Sequence, residues 1–215
     1  MAEIDRIIAV LKRETAAFRE PIVTTFARER DPFKVLVSCL LSLRTKDEVT
    51  AAAADRLFAV AGDAGSLAGL TPARIERLIY PVGFYRTKAR RLREIAARLV
   101  RERGGRVPDT IAELLALDGV GRKTANLVVT LGYGKPGICV DTHVHRICNR
   151  LGYVETATPE QTEYALREKL PRRYWLVIND LLVAWGQNVC RPQSPWCSRC
   201  ALGTLCLKMG VVRSR

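Results

Sequence analysis

The sequence predicts an all-α fold, and three observations support this class. Apolar residues recur at helical spacing along most of the 215-residue chain. No segment shows the sustained apolar–polar alternation that a half-buried β-strand requires. Several segments begin with a capping residue followed by proline, which is favourable at the first position of a helix. The length and the 48% hydrophobic content suffice for one packed domain or two small ones.

The helices can be placed in order from these signals. Asp31 and Thr71 each precede a proline and an apolar run, and Asp47 is the expected N-cap of an alanine-rich helix. Thr158 and Gln161 form a capping-box pattern. The longest predicted helix ends at Gly104-Gly105. The predicted helical ranges are 33–43, 48–60, 88–103, 111–117, 122–131 and 174–188, with further helices after Thr71, Asp141 and Thr158.

The charge balance points to a polyanionic partner. The chain has 35 Lys and Arg against 22 Asp and Glu, a formal net charge of +13. Nucleic acid is the commonest partner of such a chain, with solubility alone or an anionic lipid surface as alternatives. No run of about eighteen apolar residues predicts a membrane span. The acidic start, Met1 to Asp5, does not have the pattern of a signal peptide. We therefore expect an intracellular monomer without a membrane partner, cytoplasmic and nucleoid-associated in a prokaryote.

The most informative segment is Leu114–Ala125, in which two short helices flank a turn with glycines at 119 and 121. Glycine permits positive φ and close approach to a partner. The amide N–H groups at the start of the second helix can bind an anion such as a DNA phosphate, reading the backbone but no base sequence. The alternative is an ordinary helix–turn–helix corner. The turn before Lys88 has a similar but weaker character.

Lys123 lies in the first turn of this second helix. An ordinary role would be a solvated surface charge. The positive end of the helix dipole, together with partial burial, would instead lower its pKa. A neutral amine is a nucleophile that can form a Schiff base. The position therefore makes Lys123 a candidate nucleophile.

Asp141 begins the segment that contains the two histidines of the chain, His143 and His145. An N-cap role for Asp141 is compatible with a catalytic one, since a carboxylate can stabilise developing positive charge and help to move protons. A His-x-His pair could suggest zinc. Positions two apart on a helix face different directions, however, so hydrogen-bonding or packing roles are favoured for both.

Four of the seven cysteines crowd into the C-terminal part of the chain as Cys190, Cys197, Cys200 and Cys206, with the spacing C-x6-C-x2-C-x5-C. Four thiolates on a short, turn-rich segment can surround one metal centre. The spacing alone leaves iron–sulfur and zinc open. Cys39, Cys139 and Cys148 stand singly in apolar surroundings and are interpreted as core residues.

The stretch Leu117–Arg150 and the cysteine pattern together resemble the endonuclease III-like DNA glycosylases of the helix-hairpin-helix superfamily, over a range from about residue 20 to Cys206. The resemblance implies a six-helix lobe at 24–135 and a cluster lobe formed by 1–23 and 136–215, flanking a DNA-binding cleft with Lys123 and Asp141 as the catalytic pair. It also implies a [4Fe–4S] cluster on the four cysteines. The carbonyls of Leu115, Leu117 and Val120 would hold a monovalent cation.

The same resemblance implies a set of DNA contacts and one activity. The enzymes of this family flip a damaged base out of the duplex and fill the gap with side chains. Arg44 and Phe84 depart from the glutamine and aliphatic residue that the family commonly has there, so the preference for the opposite base stays open. The expected DNA contacts are Gly119, Val120, Gly121, Arg122 and Thr124 in the hairpin, Ser42, Arg44, Asp47 and Phe84 at the gap, and His143 and Arg191 elsewhere.

Three functions are compatible with these sequence features. The first is a bifunctional glycosylase and lyase that acts on oxidised pyrimidines in double-stranded DNA. The second is a related adenine-specific mismatch glycosylase, a class that lacks a lysine at the position of Lys123. The third is a non-catalytic DNA-binding module, which would not need Lys123, Asp141 and a cluster together. The first function is the one that we expect.

Overall fold

The computed structural model describes residues 3–18 and 30–215, and these residues form helices and turns without a β-strand. The all-α prediction is confirmed. None of the helices in this part of the chain is long and apolar enough to cross a membrane. The helices are α1 Glu3–Thr15, α2 Pro32–Ser42, α3 Asp47–Phe58, α4 Ala64–Gly69, α5 Pro72–Ile79, α6 Tyr85–Arg103, α7 Ile111–Leu115, α8 Arg122–Leu127, α9 Thr142–Leu151, α10 Pro159–Lys169 and α11 Ile178–Asn188.

The chain divides into two compact units. We call Ile22–Lys135 the hairpin unit, because it contains α7 and α8, and we call Met1–Pro21 together with Pro136–Arg215 the cysteine unit.

In the hairpin unit, the apolar helix α2 packs against α3, α6 and α8. Its side chains from Val35 to Leu41 are buried, as the continuous apolar run of this helix requires. A π-helical turn, Val128–Gly132, continues α8 and approaches the start of α2 so closely that a Cβ at Gly132 would lie 2.8 Å from the Cα of Pro32. The helix that carries Lys123 is thereby fixed against the core of its unit.

The cysteine unit has a core of its own. The buried face of α1, formed by Ile4, Ile7, Ile8 and Leu11, packs with residues of α9, α10 and α11. Trp175 and Trp185 are buried in the same core, and Trp196 is half-buried. The Trp196 ring lies between the guanidinium groups of Arg199 and Arg215, which stand 4.1 and 4.9 Å from its centroid.

The predicted caps at Asp31, Thr71 and Thr158 are observed. The Asp31 carboxylate accepts the N–H groups of Phe33 and Lys34 at 2.9 and 3.1 Å, and each of the three helices has proline at its start. The predicted cap at Asp47 was wrong, because α3 begins at Asp47 itself and Lys46 is the N-cap without a side-chain bond.

Two helices also start at least three residues away from the predicted position, and one short helix was not predicted. Helix α6 begins at Tyr85 rather than at residue 88, because Phe84 adopts a left-handed conformation (φ 59°) at its N-cap. Helix α11 begins at Ile178, after a 3-10 turn at Arg172–Tyr174. The short helix α4 was not predicted; the side chains of Asp63 and Ser66 cap it reciprocally.

Candidate active site

The hairpin turn joins α7 to α8 in the hairpin unit. Gly119 has φ +81°, a left-handed conformation that disfavours other residues, and the N–H of Val120 donates to the carbonyl of Leu117 at 3.0 Å. Gly121 is the N-cap of α8 and supplies no side-chain acceptor. Gly121 therefore gives α8 no side-chain cap, which is the arrangement expected of a helix start that binds an anion.

Lys123 is the second residue of α8, and its side chain is exposed. The partial burial expected from the sequence is absent, because α8 turns this position outward. Cys39 of α2 lies nearby. Burial raises the pKa of the Cys39 thiol to about 12, and the charge of Lys123 acts in the opposite direction. Lys123 thus lies at the positive end of a helix, next to an inert buried thiol.

Asp141 belongs to the cysteine unit and is the N-cap of α9, as predicted. Its Oδ1 accepts the N–H groups of His143 at 2.8 Å and Val144 at 3.0 Å. The residue is only 7% exposed. These bonds hold the carboxylate in one orientation at the start of the helix.

The two histidines form different hydrogen bonds. His143 Nδ1 lies 3.1 Å from an Arg146 nitrogen, and a Cβ at Gly186 would lie 2.2 Å from the same Nδ1 atom. His145 Nδ1 is 2.7 Å from the hydroxyl of Thr162, and burial lowers the pKa of His145. Both side chains therefore have the hydrogen-bonding and packing roles favoured from the sequence, and the DNA contact of His143 stays a prediction.

Arg44 and Phe84 come together in the hairpin unit. Both have positive φ, 53° and 59°, and the Arg44 guanidinium lies 5.7 Å from the centroid of the Phe84 ring. Phe84 is 63% exposed although it is a large apolar residue. We call these two residues the gap pair. Ser42 donates its hydroxyl to the Cys39 carbonyl at the end of α2, and Asp47 is half-buried.

Lys88, on α6, supports the gap pair and was not predicted as a site residue. It is buried, and its Nζ donates to the carbonyls of Leu41 (2.7 Å) and Leu43 (2.6 Å) and to Thr45 Oγ1 (3.2 Å). Burial lowers the pKa of Lys88 to about 8. The sequence does carry a signal: Lys88 stands four residues before Leu92, so it falls on the apolar face of α6, where a solvated lysine is unexpected.

The four C-terminal cysteines lie in the cysteine unit, half-buried around two 3-10 turns, Cys197–Arg199 and Gly203–Leu205. Burial raises the pKa of the thiols of Cys200 and Cys206, and charge on the neighbouring cysteines raises both further. The four sulfur atoms are thus within electrostatic reach of one another.

Hydrogen-bond donors point at this set of thiols. Arg150 donates to Cys190 Sγ and the Lys208 N–H donates to Cys206 Sγ, both at 3.4 Å. Thiolates that repel one another and accept hydrogen bonds from N–H groups are the kind of ligand that suits a cationic metal centre. Within residues 3–18 and 30–215, however, no group of three or more His, Cys, Asp or Glu side chains is arranged to hold a metal ion. The assignment therefore rests on donor chemistry.

Arg191, in the loop that follows Cys190, has an exposed side chain, while its carbonyl accepts a bond from Arg150 at 2.7 Å. The backbone of the loop is thereby held to α9, and the side chain remains accessible to a ligand. Its predicted DNA contact stays a prediction.

Comparison with known proteins defines the family. Residues 37–172 match the family model described as HhH-GPD superfamily base excision DNA repair protein. Endonuclease III of Thermotoga maritima is 50% identical over 188 residues, which cover 86% of this chain and 88% of that protein. Chloroplastic and vertebrate relatives are longer, and the chain covers from 47% to 63% of their length.

Two solved structures show the same fold. A non-covalent complex of endonuclease III with DNA aligns with a TM-score of 0.84 at 30% identity, covering 97% of this chain and 96% of that one. A trapped covalent intermediate of endonuclease III with DNA aligns with a TM-score of 0.79 at 30% identity and covers 97% of both chains. The chain thus belongs to the endonuclease III family within the HhH-GPD superfamily of base excision DNA repair proteins.

Proposed function

We propose that this chain is a bifunctional DNA glycosylase and abasic-site lyase that removes oxidised pyrimidines from duplex DNA and acts as an intracellular monomer. The observation that carries the proposal is an exposed lysine in the first turn of a helix, directly behind a glycine-containing hairpin turn, in a chain of this family. The covalent intermediate of the related enzyme with DNA supports the choice of a nucleophilic mechanism.

Lys123 is the proposed nucleophile. Its neutral amine attacks C1′ of the damaged nucleotide, the glycosidic bond breaks, and the base leaves with the bonding electron pair and takes up a proton. Loss of a proton from the amine and opening of the sugar give an iminium linkage between Nζ and C1′. Removal of a C2′ proton then expels the 3′ phosphate, which cuts the strand, and water releases the lysine from the sugar.

Asp141 is the proposed carboxylate partner. A negative charge stabilises the cationic sugar as the base departs and can accept the proton that the amine loses. Its two bonds from the start of α9 hold Oδ1 in place. Asp141→Asn tests the charge separately from the cap, because asparagine is an equally good N-cap. We expect base release to slow by orders of magnitude while α9 stays folded; a near-normal rate would remove Asp141 from the mechanism.

The remaining predicted site residues are proposed to bind and orient the DNA or to stabilise the fold. The amides of the hairpin from Gly119 to Thr124 are proposed to bind a backbone phosphate, and the carbonyls of Leu115, Leu117 and Val120 a monovalent cation. Cys190, Cys197, Cys200 and Cys206 would hold a [4Fe–4S] cluster, which would supply a fold-stabilising metal centre to the C-terminal segment. The gap pair is proposed to occupy the space left by the flipped nucleotide.

Borohydride trapping tests the proposal, because the reductant fixes a Schiff base as a stable amine. Wild-type protein should form a covalent adduct with duplex DNA that contains an oxidised pyrimidine, and Lys123→Gln should not. Lys135→Gln is a matched control, since that lysine lies in the same unit but is ion-paired with Asp109 at 2.7 Å. Undiminished trapping in the Lys123 variant would overturn the assignment. Base release without strand cleavage in the wild type would favour a monofunctional glycosylase.

A further inference from the structure

Some arginines of helix α6 have a carboxylate partner and others do not. The helix carries seven of them, at positions 86, 90, 91, 93, 98, 101 and 103. Arg98 and Arg101 pair with Glu102 at 2.9 and 2.8 Å, and Arg103 pairs with Glu113 at 2.8 Å. Each of these three arginines in the C-terminal half of α6 therefore has a carboxylate partner, although Arg98 and Arg101 share Glu102.

The N-terminal half of α6 is different. Among the residues that the structure describes, Arg86, Arg90 and Arg91 have no acidic side chain within salt-bridge distance. All three are exposed. The arginines that have carboxylate partners lie three turns further along the same helix. Positive charge without a carboxylate partner is therefore concentrated at the N-terminal end of α6.

Arg91 stands out because it lies on the hairpin turn. A Cβ at Gly119 would be 2.4 Å from Arg91 Cδ, 2.6 Å from its Nε and 2.7 Å from its Nη1. The guanidinium can lie there because position 119 lacks a side chain. A planar guanidinium presents several N–H donors and remains charged at any physiological pH, so it suits a phosphate.

Arg91 also reaches toward the gap pair. It lines a cavity of about 350 Å³ together with Arg44, Phe84, Thr87 and Lys88. Thr87 precedes Arg91 by one helical turn, so both face this cavity from α6. Arg91 thus contacts the hairpin turn on one side and shares a cavity wall with the gap pair on the other, entirely within the hairpin unit.

We propose that Arg91 binds a backbone phosphate of duplex DNA, extending the phosphate site of the hairpin along α6 toward Arg44. The inference rests on the proposed function, because it assumes that the hairpin faces DNA. A phosphate is favoured over a base edge because the charge lies beside backbone amides of the hairpin, which read only the DNA backbone. The contact would add affinity and orient the duplex without sequence preference.

The salt dependence of binding tests this inference. Each phosphate contact by a cation contributes about 0.9 to the slope of log K against log salt concentration. Binding of undamaged duplex to Arg91→Ala should show a slope smaller by about 0.9, which is roughly a 3- to 4-fold smaller loss of affinity over a fourfold rise in salt. Arg91→Lys, which retains the charge, should restore most of the slope.

Arg101→Ala is the matched control. It removes the same charge from the same helix, its side chain is 68% exposed, and its charge is already paired with Glu102. We expect its slope to equal that of the wild type. An unchanged slope in Arg91→Ala would overturn the inference, and so would an equal decrease in both variants, because the effect would then follow from net charge alone. Thermal melts of each variant establish that the fold is intact.

The result can be separated from failure of the proposed function. If wild-type protein fails to form the borohydride adduct but the slope falls only in Arg91→Ala, the lyase assignment fails and the phosphate contact stands. If the wild type forms the adduct and the slopes are equal, the phosphate contact alone is wrong.

Discussion

Replacing Lys88 by methionine should weaken the support of the gap pair while leaving the side chains of Arg44 and Phe84 unchanged. Methionine has a similar length and keeps the apolar contacts, but it removes the ammonium group that bonds Leu41, Leu43 and Thr45. The carbonyls of Leu41 and Leu43 lie at the C-terminal end of α2, where unsatisfied carbonyls favour a cation. The same Thr45 hydroxyl accepts the N–H of Gly83 at 3.1 Å, so the network extends to the residue before Phe84.

The size of the effect follows from two opposing contributions. Hydrogen bonds to a charged donor contribute roughly 1.5–3 kcal/mol each, so three of them contribute about 5 kcal/mol or more. Burial of the charge opposes them: it lowers the pKa of Lys88 to about 8, which corresponds to roughly 3 kcal/mol in favour of the neutral amine. We expect a net loss of about 2 kcal/mol, or about 4–8 °C in Tm for a domain of this size.

The assay compares two activities of the same protein. Single-turnover base release requires the damaged nucleotide to be flipped from the stack, whereas cleavage at a preformed abasic site requires less unstacking. Lys88→Met should therefore slow base release more than abasic-site cleavage. Arg90→Met is the stability control, because it removes a positive charge from an exposed position of the same helix. An unchanged Tm, or an equal loss of both activities with wild-type stability, would refute the reasoning.

Lys88 also predicts how stability depends on pH. Because its pKa is lowered in the folded chain, the unfolded chain retains the proton above about pH 8 while the folded chain has released it. The contribution of this group to the free energy of unfolding therefore increases as the pH rises from about 8 toward the ordinary lysine value. Urea unfolding at several pH values should show that the free energy of unfolding of the wild type increases relative to that of Lys88→Met over this range. A constant difference in this free energy would contradict the lowered pKa of Lys88.

Three further predictions concern the gap pair and the cysteines. A Cβ at Gly83 would lie 2.6 Å from the Arg44 carbonyl oxygen, so Gly83→Ala should cost about 1–3 kcal/mol in a urea titration and slow base release. Arg44 has donors but no acceptor, so Arg44→Gln should narrow any preference for cleavage opposite guanine over adenine; identical profiles opposite all four bases would show that Arg44 does not read the orphaned base. Cys197→Ser should lower the iron content of the purified protein and destabilise the C-terminal segment, measured by metal analysis and limited proteolysis, and zinc in the wild type after anaerobic purification would contradict the cluster.

The sequence predicts much of this architecture because its main signals are local. Asp31, Thr71 and Asp141 cap the helices that follow them, since an N-cap requires only a short side chain next to its own backbone. The conformation of Phe84 is an example that local signals do not predict. Its positive φ moves the start of α6 upstream, and no sequence pattern marks a phenylalanine for that conformation.

The candidate site residues Lys123 and the four cysteines were predicted from motifs in the sequence, and their roles stay predictions. Lys88 and Arg91 were not predictable in the same way. Lys88 is marked only by its place on the apolar face of α6, whereas the contact of the Arg91 guanidinium with Gly119 depends on tertiary packing and has no signal in the sequence. The exposure of Lys123 likewise depends on the direction in which α8 faces.

The positions of the tryptophans give the two units different optical signals. All three, Trp175, Trp185 and Trp196, belong to the cysteine unit, and the hairpin unit contains none. Intrinsic tryptophan emission during denaturation therefore reports on the cysteine unit alone, whereas far-ultraviolet circular dichroism records the helices of both. Superimposable curves from the two probes would mean that the units unfold as one cooperative block, and separated curves would give each unit its own midpoint from a single sample without any label.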